Sequence, residues 1–179
     1  MRRIRKAGLL LFVLCYVSPT FALTNTDDNQ PILSKATYYN IDLIKGIFTY
    51  KGNVVMDQGS RHITGDTATI YRKDGKLDKV VITGKPVHYQ AKTDDPKKPM
   101  LYAKAETMIY EAPKHLLILL TNAEIKQGKD VATSQHIEYQ TQQRIVNMMP
   151  INGSRSTIVI EPDSVKTKPI APTSSKGNK

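Results

Sequence analysis

The sequence predicts an all-β chain folded as a single bent antiparallel sheet with one apolar inner surface. Three observations lead there. Between Pro31 and Ile160 there is little sign of an amphipathic helix longer than two turns. Instead, short runs rich in Val, Ile, Thr and Tyr are divided by turn chemistry at Lys73-Asp-Gly75, Asp94–Pro99, Ala112-Pro-Lys114, Gln127-Gly-Lys129 and Asn152-Gly153. Finally, a unit of about thirty residues recurs along the chain, the signature of elements that must stack to bury an apolar face. Turn spacing of this kind divides the ordered body into on the order of 11 to 16 strands.

Taken in order, the chain begins with a basic cluster (Arg2, Arg3, Arg5, Lys6), an uncharged apolar run from Ala7 to Val17, and Thr20 and Ala22 at small-x-small positions. This is the pattern of a signal peptide over residues 1–22, with cleavage expected after Ala22. The apolar run is much shorter than the roughly 20 residues that span a bilayer, which argues against an uncleaved anchor. Cys15 lies inside that run, so the chain after Ala22 has no cysteine for disulfides, thiol chemistry or metal.

Charge is unevenly placed. The formal net charge is +10, but four of the 26 Lys and Arg residues lie in the first 22 positions. Four more (Lys166, Lys168, Lys176, Lys179) lie beyond the last acid, Asp163. The body between is close to neutral, which removes the electrostatic argument for nucleic acid. Residues 23–30 are polar and read as a flexible lead. Residues 31–161 form the β domain. Residues 162–179, rich in Pro, Ser, Thr and Lys, read as a disordered basic tail.

Within the domain, Phe48–Gly59 is the best-formed copy of one half of the repeat. Phe48 and Tyr50 precede a Gly52-Asn53 kink, and Val54 and Met56 follow it. All four share parity, so an unbroken strand aims them at one face. Related apolar strands, each broken by a turn-like pair, run Val80–Tyr89, Leu116–Ile125 and, degraded, Ile145–Ile151. The other half begins at Ala36, Gly65, Ala105 and Ser134, spacings of 29, 40 and 29 residues, the long one holding the Asp94–Pro99 insertion. Alternation adds Met108, Leu117, Leu119, Ile137 and Tyr139 to the inner face.

Catalytic signatures are missing. His62, His88, His115 and His136 have no spacing suited to a metal, and no nucleophile motif or phosphate-cradling loop occurs. Asp66 and Glu106 recur at one repeat position, which suggests a turn or cross-strand bond. Trp is absent, so sugar-stacking platforms are disfavoured. The remaining possibilities are a binding surface of aliphatic, Tyr and Met side chains suited to acyl chains, or a β-sandwich adaptor whose core is filled. For the first, a dozen acyl carbons exposed to water cost on the order of 10 kcal/mol, so a lipid crossing an aqueous compartment needs cover.

The order and spacing of Gln30-Pro-Ile32, Tyr50-Lys-Gly-Asn-Val54, Gln58-Gly59, Gly84-Lys-Pro86, Ala105–Tyr110 and Leu120-Thr-Asn-Ala123, behind a signal peptide, resemble the LptA (OstA-like) family of periplasmic lipopolysaccharide transport proteins. Thr121-Asn122 departs from that family in lacking its usual Gly after the Thr, and Met149-Pro150 blurs the last repeat. The resemblance implies a twisted β-jellyroll, open at both ends, in the periplasm of a Gram-negative cell. It implies no enzymatic activity and no cofactor. It implies lipid A as ligand, with Ile32, Tyr89 and Tyr110 facing the acyl chains. As partners it implies the inner-membrane lipopolysaccharide ABC exporter complex, the outer-membrane lipopolysaccharide translocon and further copies stacked head to tail. The pairing edges are then Pro31–Ser34 and Thr157–Ile160, since unpaired edge strands template strand addition.

Overall fold

A computed structural model describes residues 26–93, 98–151 and 153–161. The expected signal peptide and basic tail lie outside the described residues, as do residues 94–97 of the insertion. Ten strands form one antiparallel sheet: β1 (Leu33–Lys35), β2 (Tyr38–Asp42), β3 (Ile47–Gln58), β4 (Arg61–Lys73), β5 (Lys76–Ala91), β6 (Leu101–Glu111), β7 (Leu116–Gln127), β8 (Asp130–Gln140), β9 (Ile145–Met148) and β10 (Thr157–Val159). Helical structure among the described residues is limited to 3-10 turns at Thr26–Asn29 and Ala112–Lys114.

Strands β3 to β8 follow one another as a meander. At one side, β1 and β2 lie along the free edge of β3, pairing with its second and first halves. At the other, β10 and β9 lie along the free edge of β8 in the same divided way. The sheet does not close on itself, so it has two edges. The strand count is below the range expected because each kinked apolar unit is a single strand that continues through its kink.

Those kinks are aligned. Register slips between Lys51 and Val54 on β3, Thr64 and Thr67 on β4, Thr83 and Val87 on β5, Lys104 and Thr107 on β6, and Leu120 and Ala123 on β7. Bulges bend a strand and increase its twist, so a row of them at one level makes a crease across the sheet. The local chemistry suits this. Gly52 and Asn53 both have positive φ, and the Gly52 carbonyl accepts a hydrogen bond from the Thr37 amide at 2.9 Å. On β7 the same role falls to Thr121 and Asn122, with φ of +64° and +52°. Asn122 Nδ2 donates to Glu106 Oε1 at 2.8 Å, the cross-strand bond expected of the recurring acid at that position.

The crease folds the sheet into two facing halves whose inner side chains merge into one apolar cluster. Each half ends in a rim of hairpin turns. The rims approach where Arg61, on the second half, lies over the Tyr110 ring of the first, 5.8 Å from its centroid. Residues 26–30 of the lead expected over residues 23–30 are described. Asp27 is buried and accepts hydrogen bonds from the Ser60 amide (2.9 Å) and hydroxyl (2.5 Å). Asp28 pairs with Arg61, and Gln58 Nε2 donates to the Gln30 carbonyl. Three polar side chains in the β3–β4 turn therefore tie this segment down.

Candidate functional site

The space between the half-sheets is filled near the crease and opens towards the rims. Met108, Leu119, Ile137, Val54 and Val87 are the largest fully buried side chains and meet in the crease layer. On the second half-sheet, Ala91, Ala103, Ala105, Ala123 and Ala132 face inward. Their small volume opposite larger residues leaves room along the mouth.

That room is a groove running across the strands. At the β1/β3 end it encloses about 640 Å³, counting space open to solvent, under Ile32, Met56, Ile63, Leu77, Ile82 and Tyr110. At the β9/β10 end about 650 Å³ lies among Leu101, Ile125, Tyr139, Val146, Met148 and Ile158. A smaller, more polar cavity of about 350 Å³ lies between them, bordered by Asp27, Arg61, Thr141 and Arg144. Tyr89 borders the first and middle stretches; Tyr139 and Leu101 border the middle and last. Three cavities with shared walls are therefore arrayed between one sheet edge and the other.

Of the twelve side chains expected on the inner wall, Ile32, Met56, Tyr89, Met108, Tyr110 and Leu117 come together in the first stretch, and Tyr139 borders the other two. The remaining five border none of these stretches. Val54, Leu119 and Ile137 are enclosed in the crease layer. Tyr50 is buried with its ring edge-on to Tyr39, centroids 4.9 Å apart, and Phe48 packs on the core with the Arg72 guanidinium 5.9 Å from its ring centroid.

Sequence reasoning missed most of the second half-sheet, and the cause is parity. On β3 and β7 the inward residues keep one parity through the crease (Tyr50 and Val54; Leu119 and Ala123). On β4, β5, β6 and β8 it switches: Arg61 and Ile63 precede Ala68, Ile82 precedes Val87, Ala105 precedes Met108, and Ser134 precedes Ile137. Alternation carried through a bulge inverts the face assignment. The small-then-polar repeat starts at Gly65, Ala105 and Ser134 mark those bulges and carry the signal for a reset.

The polar stretch is the other feature that pattern reading passed over. Arg61 opens β4 and its side chain is 9 % exposed. Its Nη1 lies 2.5 Å from Asp28 Oδ1 and donates to Gln58 Oε1 at 3.2 Å. The other oxygen of Asp28 lies 3.5 Å from His115 Nδ1, at the rim of the opposite half-sheet. Burial works against the Arg61 charge, but the Asp28 hydrogen bond and nearby phenols outweigh it, so its pKa moves upward. Burial pushes the Tyr89 phenol well up, and raises Tyr110 together with the Asp28 charge. Among the described residues no group of three or more His, Cys, Asp or Glu could hold a metal ion. The remaining histidines sit in separate pairings or alone; His62 lies 2.6 Å from Asp57 and His136 3.4 Å from Glu138.

Comparison with known proteins fits this geometry. Residues 32–145 match the family described as LptA/(LptD N-terminal domain) LPS transport protein. The lipopolysaccharide export system protein LptH of Pseudomonas aeruginosa is 31 % identical over 159 residues, covering 88 % of this chain and 90 % of its own. The lipopolysaccharide export system protein LptA of Escherichia coli K12 is 29 % identical over 165 residues, covering 89 % and 88 %. The crystal structure of LptH, described as the LptA homologous periplasmic component of the lipopolysaccharide transport device of P. aeruginosa, superposes with a TM-score of 0.71 at 30 % identity. It covers 76 % of this chain and 99 % of that one. A creased, unclosed antiparallel sheet and a sequence match over most of the chain place this protein in the LptA/LptD N-terminal domain family of lipopolysaccharide transport proteins.

Proposed function

We propose that this chain is a non-enzymatic periplasmic carrier of lipopolysaccharide, exported by a cleaved signal peptide, that covers lipid A acyl chains in its groove. The observation that carries the reading is a row of three cavities, apolar at both ends, that share lining residues between the two sheet edges. A path that ends at both edges suits cargo passed between stacked subunits. The edges suit stacking as well. Leu33, Tyr38 and Ile41 on β1 and β2, and Ile145, Ile158 and Val159 on β9 and β10, leave large apolar side chains exposed beside unpaired backbone. On this reading, copies add head to tail between the inner-membrane ABC exporter complex, which supplies the energy, and the outer-membrane translocon.

The test is a photo-crosslinking amino acid placed at Tyr110, with outward-facing Thr107 and Ile109 as controls on the same strand. Labelling of lipopolysaccharide in cells from position 110, and not from 107 or 109, is expected. Labelling confined to 107 or 109 refutes the groove assignment. The filled crease layer favours a second reading, a structural adaptor with no lipid ligand. It predicts no lipid labelling from any inward position, and no transport defect in any variant that stays folded.

A further inference from the structure

Arg61 poses a physical problem that the lipid-carrying reading brings into focus, and the role assigned to it rests on that reading. A guanidinium almost removed from water sits at the junction of an apolar groove and its polar middle stretch. Its counter-charge is not on the sheet. Asp28 belongs to the Thr26–Asn29 turn laid over the mouth; one of its oxygens pairs with Arg61 of one half-sheet and the other lies 3.5 Å from His115 Nδ1 of the opposite half-sheet. The same turn is fixed by Asp27 on Ser60 and by Gln58 Nε2, which lies 3.5 Å from the Asp28 carbonyl. A ligand that enters between the rims must lift this turn, and that strips both acids from the mouth together. Arg61 then keeps Gln58 Oε1 and the Tyr110 ring but loses its counter-charge, which is unfavourable for a guanidinium so little exposed. A ligand that displaces Asp28 and brings an anion restores that pairing.

We propose that Arg61 and His115 form an anion subsite at the groove mouth, occupied by the Asp28 carboxylate in the free protein and taken over by a lipid phosphate when cargo binds. A tetrahedral phosphate offers the same pairing to a guanidinium as a carboxylate, with more acceptor oxygens. The surroundings agree in sign once the turn has moved. Arg144 and Lys92 border the adjoining stretch, and the nearby Asp57 is engaged with His62. Asp28 acts as an internal competitor, so the empty groove stays closed and its cation paired.

The experiment compares two probes on the exported protein: lipid A bearing its phosphates, and the same lipid enzymatically dephosphorylated. The wild type is expected to prefer the phosphorylated form by about tenfold, the discrimination one charge-assisted hydrogen bond can carry. Asp28→Asn removes the competitor and tightens the phosphorylated form by about tenfold more, leaving the other within about twofold. Arg61→Gln abolishes the preference, and Arg61→Lys restores part of it, so a misfolded Gln variant does not decide the matter. Inorganic phosphate that displaces the phosphorylated lipid from Asp28→Asn identifies a general phosphate site; failure to displace it, with the preference intact, identifies a headgroup site that needs the acyl chains. Equal affinity of the wild type for both lipids overturns the subsite and leaves the carrier reading standing. An equal gain for both lipids in Asp28→Asn also overturns it and makes the turn a plain lid. Binding of neither lipid overturns both.

Discussion

Leu119→Ala separates the residues that fill the molecule from those that line its groove. Leu119 is 0 % exposed and lies between Met108 and Ile137 on the neighbouring strands, which are 2 % and 0 % exposed. Removing three carbons loses about 2.4 kcal/mol of transfer free energy at about 0.8 kcal/mol per CH₂. The cavity left in a layer this tight adds to that, so the expected total is about 3 kcal/mol, within the range for buried Leu→Ala changes. For a domain of this size the melting temperature falls by about 10 °C. Urea unfolding followed by far-ultraviolet circular dichroism measures it. On the filled-crease assignment, Leu119→Ala leaves lipopolysaccharide crosslinking at Tyr110 intact wherever the protein is folded, and a crosslinker at position 119 labels no lipid. A cost below about 1 kcal/mol, with labelling at 119 as strong as at 110, would mean that lipid reaches the crease and that filler and wall are not distinct.

The backbone and the buried phenols supply three more tests. Gly52→Ala forces a side chain to φ +79° with its Cβ 2.9 Å from Thr37 Oγ1; a loss of about 2 kcal/mol is expected in urea unfolding, and a neutral result would show that the crease tolerates Cβ. Thr121→Gly relieves a β-branched residue at φ +64° and is expected to gain about 0.5–1 kcal/mol after the extra entropy of glycine, read as a higher urea midpoint at unchanged slope. Tyr89, whose pKa burial raises above the ordinary 10.0, favours its neutral form when folded. Its contribution is complete below pH 10 and is lost as pH climbs from 10 towards the folded value, at about 1.4 kcal/mol per pH unit. Tyr89→Phe should flatten that alkaline slope, leaving the smaller part due to the partly exposed Tyr110; an unchanged slope would mean that Tyr89 ionises freely when folded.

The all-β class, the family and the inward face of the first half-sheet were legible because repeat spacing, turn chemistry and strand parity all speak locally. Met108, Leu117 and Tyr139 were found by alternation alone, and Tyr110 through the family resemblance. Leu101 and Ala132 were not found, since each lies across a crease whose effect on parity depends on how many residues the bulge inserts. The division between wall and filler was not legible either. Leu117 and Leu119 have the same parity on the same strand, and only distance from the crease makes one a groove residue and the other a core residue. Arg61 was hidden for another reason. Its partners Asp28 and Tyr110 lie 33 and 49 positions away in sequence, and a lone Arg after a Gln-Gly-Ser turn carries no pattern.

The filled crease need not oppose the passage of acyl chains. Ladder hydrogen bonds run along the sheet from strand to strand, whereas the halves meet face to face through side chains. Parting the rims about the crease therefore costs apolar contact and the Asp28 bridge, and spares the ladders that hold each half together. An acyl chain entering from the rim replaces protein–protein apolar contact with protein–lipid contact of similar worth per unit area, while removing a chain whose exposure to water costs on the order of 10 kcal/mol. The balance favours entry at the mouth, where Ile32, Leu77 and Tyr110 are only partly buried, over penetration to Leu119 and Ile137, which gain nothing from exchanging one close-packed apolar neighbour for another. On the carrier reading, a hinge of bulges, a packed floor and a polar catch at the rim are the parts a groove needs in order to stay closed when empty and open for cargo.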